Sequence, residues 1–227
     1  MDRRSGARVA VSAGLAVLFL AVWVCVRADL GPARLDVPVL DFLAGHRTGP
    51  LTALMTVATT LGSIYVLIPL GITGALVLSR RARSWWPAAL VALAVGGNAL
   101  LTFAVKVLDG RARPPFSAVD VTGPDFSFPS GHTSNTTVTL GVLLFLVYRQ
   151  VRPCRARTVL ATGAAVLAFT VGLSRLYLGA HWLTDVLAGY LLAGSWLVLV
   201  LTAADRRPAT SDQHPVRGLW RTVRSRS

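Results

Sequence analysis

The chain has 227 residues, of which 53% are hydrophobic and only 15% are charged, a composition that excludes an ordinary soluble domain. The formal net charge is +13, and every basic residue except one lysine is arginine. Such a charge can indicate nucleic-acid binding, but the apolar residues form blocks long enough to cross a bilayer, and we therefore predict no nucleic-acid partner.

Six apolar blocks predict an all-α polytopic membrane protein, with six transmembrane helices in a bundle. In chain order the blocks are 9–26, 51–78, 85–105, 133–147, 159–173 and 182–203. The first is longer than the apolar part of a signal peptide and is followed by no small-residue cleavage site, so we interpret it as a membrane helix. The second is longer than one crossing requires, and Gly62 and Ser63 are predicted to divide it into a lead-in helix and a spanning part.

The basic residues predict the orientation. Sixteen of them lie in 1–8, 80–84, 149–157 and 205–227, and the alternate connections and helix ends carry seven. By the positive-inside rule the first set is cytoplasmic, so both termini are predicted in the cytoplasm. We divide the chain into a cytoplasmic N-terminus (1–8), a membrane domain (9–203) and a basic cytoplasmic tail (204–227) that is predicted to be disordered. The tail either contacts anionic lipid or only fixes orientation.

The two cysteines, Cys25 and Cys154, are predicted on opposite sides of the membrane, which excludes a disulfide between them. No cysteine–histidine spacing indicates a metal site. These residues therefore predict no metal site, and no cofactor is predicted.

Polar residues gather in three segments at the predicted outer ends of the spans: KVLDGRARP, FSFPSGHTSN and SRLYLGAHWLTD. In the first, Lys106 and Arg113 are seven residues apart, and Pro114 ends any helix. Asp109 and Arg111, between them, are interpreted as a local pair. Asn98, inside the third span, is interpreted as a helix–helix contact rather than a site residue.

The second segment is typical of a helix start. Ser130 can cap the helix, Gly131 allows another group to approach the backbone, and His132 falls in the first turn. Free N–H groups and the positive end of the helix dipole favour an anion there. Because any membrane helix needs a start, this segment alone indicates only a helix N-terminus.

In the third segment, His181 and Asp185 are four residues apart and would share a helix face. A carboxylate bonded to one imidazole nitrogen fixes the tautomer and leaves the other nitrogen as a nucleophile or a base. The same pair could instead only satisfy itself near the lipid headgroups, and the residues alone favour neither reading. Arg175 lies six residues before His181, and Trp182 is interpreted as an interface anchor.

Taken together, the segments would bring three cations, two histidines and two helix N-termini to one pocket, an arrangement that needs an anion. A phosphoryl group fits, because catalysis of its transfer consists mainly of positioning and charge neutralisation.

The three segments resemble the motifs of the type 2 phosphatidic acid phosphatase superfamily, namely Lys-x6-Arg-Pro, Pro-Ser-Gly-His and Ser-Arg-x5-His-x3-Asp, and they match at every fixed position and in order. The resemblance implies a metal-independent phosphatase in which His181 attacks phosphorus, Asp185 orients His181, and His132 protonates the leaving oxygen and then activates water. It implies that the phosphoryl oxygens are held by Lys106, Arg113, Ser130, Gly131 and Arg175.

A site at headgroup depth on the outer face favours a lipid phosphate as substrate, reached by lateral diffusion within the bilayer. Candidates within the family are undecaprenyl pyrophosphate, phosphatidate, phosphatidylglycerol phosphate and diacylglycerol pyrophosphate. The arginine-rich composition suggests a high-GC bacterium, in which recycling of the polyprenyl carrier for the cell wall is a common duty of such enzymes.

Two other classes remain open. A transporter or flippase would bind a lipid phosphate without cleaving it, but binding alone does not need the oriented nucleophile that Asp185 beside His181 would supply. A vanadate-dependent haloperoxidase has a similar anion site, but six predicted spans argue against that soluble class.

Overall fold

The computed structural model describes residues 3–115, 117, 126–149 and 154–205, and in these residues the chain is almost entirely helical. The elements are α1 (Arg3–Ala28), a short 3-10 helix (Gly31–Leu35), α2 (Asp36–Gly45), α3 (Gly49–Leu61), α4 (Ile64–Ala82), α5 (Trp86–Asp109), α6 (Gly131–Tyr148), α7 (Cys154–Tyr177) and α8 (Leu183–Asp205). The predicted all-α class is confirmed. The predicted tail lies outside the described residues from position 206 onward.

Among the described helices, five are long and apolar enough to cross a membrane: α1, α4, α5, α7 and α8. The predicted division at Gly62 and Ser63 is confirmed, because α3 ends just before these residues and α4 begins just after them. The predicted span 133–147 forms α6, which has 18 residues. Its first two turns carry histidine, serine, threonine and asparagine, and it is not among the five. Six crossings therefore stay a prediction.

The described helices bring the three polar segments to one end of the bundle, here called the polar end. The end of α1 meets the end of α5, where Trp23 Nε1 donates a hydrogen bond to Asp109 Oδ1 at 2.7 Å. The starts of α6 and α8 are joined by the N–H of Ser130, which donates to the carbonyl of Asp185 at 3.0 Å. At the opposite end, an ion pair joins the N-terminal part of α1 to Asp205, the last residue of α8.

Apolar clusters hold this arrangement, and two of them include α6 or the segment before it. Away from the polar end, buried residues of α4, α5, α6 and α8 form the main core: Ala75, Leu78, Leu90, Val91, Ala94, Val138, Val142, Leu146, Ala193, Val200 and Ala204. Near the polar end, the fully buried ring of Phe128 stacks on Phe19 and Trp23, with ring centroids 5.9 and 6.4 Å away. This second cluster anchors the segment before α6 to α1.

Helix α8 lies close to the start of α6 at Gly189. A Cβ atom at this position would lie 2.9 Å from the carbonyl oxygen of Ser130 and 3.1 Å from Cβ of Thr133. Because the nearest atom belongs to the backbone, it cannot move aside without shifting the start of α6. Glycine at 189 therefore allows Ser130, at the start of α6, to lie directly against α8.

We expect Gly189→Ala to lower the free energy of unfolding by about 1–3 kcal/mol, the usual effect of overpacking. Gly96→Ala on α5 is the matched control, since a Cβ there meets nothing within 4 Å. That control should leave stability unchanged or raise it slightly, because alanine favours helix over glycine. Thermal unfolding of both variants in detergent checks the contrast, and equal stabilities would contradict the close approach described here.

Candidate active site

The residues after α5 are joined to the residues before α6. Ala112 and Phe126 form an antiparallel bridge, and the N–H of Ser127 donates to the carbonyl of Arg111 at 2.7 Å. Lys106, 7% exposed on the last turns of α5, donates from Nζ to the carbonyls of Phe126 at 2.7 Å and Ser127 at 3.2 Å. The first two predicted segments therefore form one structural unit around the ammonium group.

The turn between α7 and α8 places the third segment against that unit. Gly179 has a φ of +71°, a left-handed conformation that favours glycine. It allows the N–H groups of Ala180 and His181 to donate to the carbonyl of Arg175, at 3.0 and 3.2 Å. His181 is thereby folded back over the end of α7, while Asp185 follows in the first turn of α8.

His181 and Asp185, with exposures of 2% and 0%, form the pair that the sequence predicts. It is called the catalytic pair here, after the role proposed for it below. His181 Nδ1 lies 3.2 Å from Asp185 Oδ2, which also accepts from the N–H of Trp182 at 2.9 Å. Arg113 Nη1 donates to the carbonyl of Ala180 at 3.0 Å and lies 3.3 Å from His181 Nε2. These partners assign the proton to Nδ1 and the lone pair to Nε2.

Burial lowers the pKa of His181 well below its usual value, and the positive charges of Arg175, Lys106 and Arg113 lower it further. The imidazole is therefore neutral near pH 7. A neutral ring with an available lone pair is the form that a nucleophile needs.

His132 occupies the first turn of α6 and is partly buried. It lies close enough to Arg175, His181, Arg113 and Lys106 to interact with each of them electrostatically. The fold thus brings both predicted histidines to one place with Lys106, Arg113 and Arg175, here called the cation cluster.

The cation cluster indicates an anion-binding site, and the hydrogen bonding of Arg175 is a second indication of one. It is 5% exposed, and its Nη1 donates to the hydroxyl of Thr59 on α3 at 2.6 Å. Its Nε is buried and has no hydrogen-bond partner among the described residues. An unsatisfied buried donor on a charged group is energetically costly, and a phosphoryl oxygen is an acceptor that would satisfy it.

Ser130 and Gly131 begin α6 where the sequence predicts. The side chain of Ser130, fully buried at the N-cap position, makes no capping hydrogen bond, so that part of the prediction is wrong. Its Oγ instead accepts from the hydroxyl of Thr133 at 3.0 Å. The first N–H groups of α6 remain directed toward the polar end, as at any helix N-terminus.

The interpretation of Asp109 and Arg111 as a local pair is wrong, because each has a more distant partner. Asp109 accepts from the indole of α1, as described above. Arg111 Nη1 donates to Asp185 Oδ1 at 2.7 Å and to Thr184 Oγ1 at 2.8 Å, and Nη2 donates to Asp36 Oδ2 at 2.6 Å. Sequence reasoning missed Asp36, Thr184 and Thr59, since no local pattern links them to the motifs.

The donor set around the catalytic pair suits an anion rather than a metal ion. Ammonium and guanidinium groups repel a cation and offer it no lone pair. Within residues 3–115, 117, 126–149 and 154–205, no group of three or more histidine, cysteine, aspartate or glutamate side chains is placed to hold a metal.

Comparison with known proteins identifies the family. The sequence model of the PAP2 superfamily matches residues 87–209, which include all three motifs. The chain belongs to the PAP2 superfamily. It is 38% identical over 144 residues to phosphatidylglycerophosphatase B of Bacillus subtilis, covering 63% of this chain and 70% of that protein. It is 27% identical over 198 residues to undecaprenyl-diphosphatase of Sulfolobus acidocaldarius, covering 81% and 85%.

A solved structure agrees with this family assignment. The transmembrane PAP2 type phosphatidylglycerolphosphate phosphatase from Bacillus subtilis superimposes with a TM-score of 0.80 at 26% identity, covering 88% of this chain and 98% of that one. The predicted family and a multi-pass, membrane-embedded PAP2 protein are confirmed, and the relatives place the chain among the PAP2 phosphatases.

Proposed function

We propose that this PAP2 protein hydrolyses a phosphate or pyrophosphate monoester of a membrane lipid through a phosphohistidine intermediate on His181. The observation that carries the proposal is the buried imidazole whose Nδ1 is held by Asp185 and whose Nε2 faces the cation cluster. Histidine in this state is a nucleophile, and the surrounding charges suit the phosphoryl group that it would attack.

In the first step, His181 Nε2 attacks phosphorus and the bond from phosphorus to the leaving oxygen breaks. Arg113, whose Nη1 lies 3.3 Å from Nε2, transfers its hydrogen bond to a phosphoryl oxygen when substrate binds. The Asp185 carboxylate stabilises the positive charge that develops on the imidazole through the Nδ1 hydrogen bond. Burial and the surrounding cations lower the pKa of His132 to about 3, and a bound phosphoryl anion opposes this by neutralising those cations. In that complex His132 carries a proton and donates it to the leaving oxygen.

In the second step, water attacks phosphorus, His132 accepts a proton from that water, and the phosphorus–nitrogen bond breaks. Free phosphate leaves and His181 returns to its neutral form. Throughout, the phosphoryl oxygens are held by Lys106, Arg113, Arg175, the Ser130 hydroxyl and the Gly131 N–H. The cation cluster supplies the charge neutralisation that a metal ion provides in other phosphatases, and the proposed reaction is therefore metal-independent.

The proposed orientation places both termini in the cytoplasm and the catalytic pair on the extracytoplasmic side, since the arginine-rich connections favour the inner face. A lipid phosphate would reach this site from the outer leaflet with its tail still in the bilayer. Relatives named phosphatidylglycerophosphatase B and undecaprenyl-diphosphatase support a phosphatidyl-type lipid or undecaprenyl pyrophosphate as the substrate.

A phosphate-release panel tests the proposal. The full chain, purified in detergent, is given undecaprenyl pyrophosphate, phosphatidate, phosphatidylglycerol phosphate and diacylglycerol pyrophosphate, each with and without EDTA, and His181→Ala serves as the blank. We expect release from at least one lipid, unchanged by EDTA and absent in the blank. Binding of these lipids without phosphate release would support a transporter instead, and vanadium-dependent halide oxidation would support a haloperoxidase.

A further inference from the structure

Helix α2 contacts the catalytic pair through a chain of charged residues. Asp36, 3% exposed in the first turn of α2, accepts from the Thr184 N–H at 2.8 Å and from the Thr184 hydroxyl at 2.6 Å. It also accepts from Arg111 Nη2 at 2.6 Å, while Arg111 Nη1 donates to Asp185 Oδ1. The other oxygen of Asp185 is the one beside His181.

This arrangement occupies both oxygens of Asp185. A fully buried carboxylate requires a paired charge, and Arg111 supplies it. The guanidinium is further restrained by the ring of Trp182, whose centroid lies 5.5 Å from Cζ. The side chain of Asp185 therefore has one orientation, in which Oδ2 meets His181.

Asp36 reduces the extent to which Arg111 neutralises the charge of Asp185. With Asp185 as its single partner, Arg111 would draw the carboxylate's negative charge toward itself and away from His181. A second carboxylate on Nη2 shares the guanidinium charge and leaves more of Asp185's charge for the imidazole. The effect matters most when His181 becomes positively charged, which occurs during reaction and not during substrate binding.

We infer that Asp36 is a positioning residue for the nucleophile, acting through Arg111 and Asp185; the inference rests on the function proposed above. Asp36 would not touch the lipid substrate. Its contribution is to fix the orientation of Asp185 and to preserve its charge, so that helix α2, which carries none of the three motifs, takes part in setting the turnover rate.

The test compares Asp36→Asn with Asp41→Asn, a matched control that removes the same charge from an exposed position on the same helix. We expect Asp36→Asn to lower kcat by about 10- to 100-fold, the usual effect of losing an outer partner of a catalytic group, with KM within about twofold. Asp41→Asn should match the parent. Arg111→Lys is expected to behave like Asp36→Asn, since an ammonium cannot span both carboxylates with a planar fork.

A double-mutant cycle separates positioning from structural support. In an Asp185→Asn background, Asp36→Asn should change kcat by less than about twofold, because the residue through which it acts is already neutral. Inhibition by orthovanadate, measured for every variant, reports whether the phosphate site is folded. An equal loss of kcat in both backgrounds, a rise in KM alone, or loss of vanadate inhibition in both Asp36→Asn and Arg111→Lys would overturn the inference.

The same assay includes the parent and His181→Ala. Failure of the proposed function would appear as a parent no more active than His181→Ala. Failure of this inference would appear as an active parent with an equally active Asp36→Asn.

Discussion

Alanine in place of His181 is expected to reduce phosphate release by on the order of 10⁴-fold or more, because the reaction loses the atom that bonds to phosphorus. The side chain is 2% exposed and lies between Asp185 and Arg113, which hold its ring in place. The measurement is release of phosphate from lipid by the purified protein. His46→Ala, in the short connection between α2 and α3, is the control for loss of a histidine.

The intermediate itself can be trapped. Given labelled substrate with a good leaving group, His132→Ala should form the phosphohistidine but hydrolyse it slowly, since it lacks the base that activates water. An acid-labile, base-stable label on His132→Ala that is absent from His132→Ala/His181→Ala would place the phosphate on His181. Retention of that label in the double variant, or substantial turnover by His181→Ala, would contradict the scheme.

Lys106→Arg is expected to lower kcat/KM by on the order of 10²-fold although it preserves the charge. The ammonium lies 7% exposed and donates to the carbonyls of Phe126 and Ser127. A guanidinium is longer and planar, and it can keep those bonds only by displacing the segment that leads into α6. Phosphate release by the variant is the measurement, with vanadate inhibition as the check on folding.

The chain offers a control for this exchange at Arg34, which is exposed beside α2. Arg34→Lys makes the reverse change and should leave activity as it is in the parent. If Lys106→Arg were as active as the parent, the shape of the ammonium group would be irrelevant, and lysine at 106 would have no role beyond its charge.

Local patterns predicted much of the site. The i,i+4 spacing of His181 and Asp185 predicted their contact, and the 3.2 Å separation confirms it. The two residues do not share a helix face as predicted, because His181 lies in the turn before α8 and only Asp185 lies within the helix. The break in the second apolar block was also predictable from a local signal, since Gly62 and Ser63 interrupt an apolar block that is too long for one crossing.

The motifs predicted that three distant segments meet, but not the contacts made by residues between or outside the motif positions. Arg111 stands two residues from Arg113, yet one joins Asp185 and Asp36 while the other faces His181. Which arginine meets which carboxylate depends on how α2 packs beside α8, and Asp36 is 149 positions before Asp185 in the chain. Charge and spacing alone made a local pair with Asp109 equally reasonable.

The part of the chain that carries the family's motifs is contacted by side chains from outside it. Residues 87–209 contain every predicted catalytic and phosphate-binding side chain. Three of the supports described above come from earlier helices: Trp23 on α1, Asp36 on α2 and Thr59 on α3. A fragment restricted to the matched region would keep the proposed catalytic residues but lose these three contacts, so we expect the helices before residue 87 to support the site as well as to lie in the membrane.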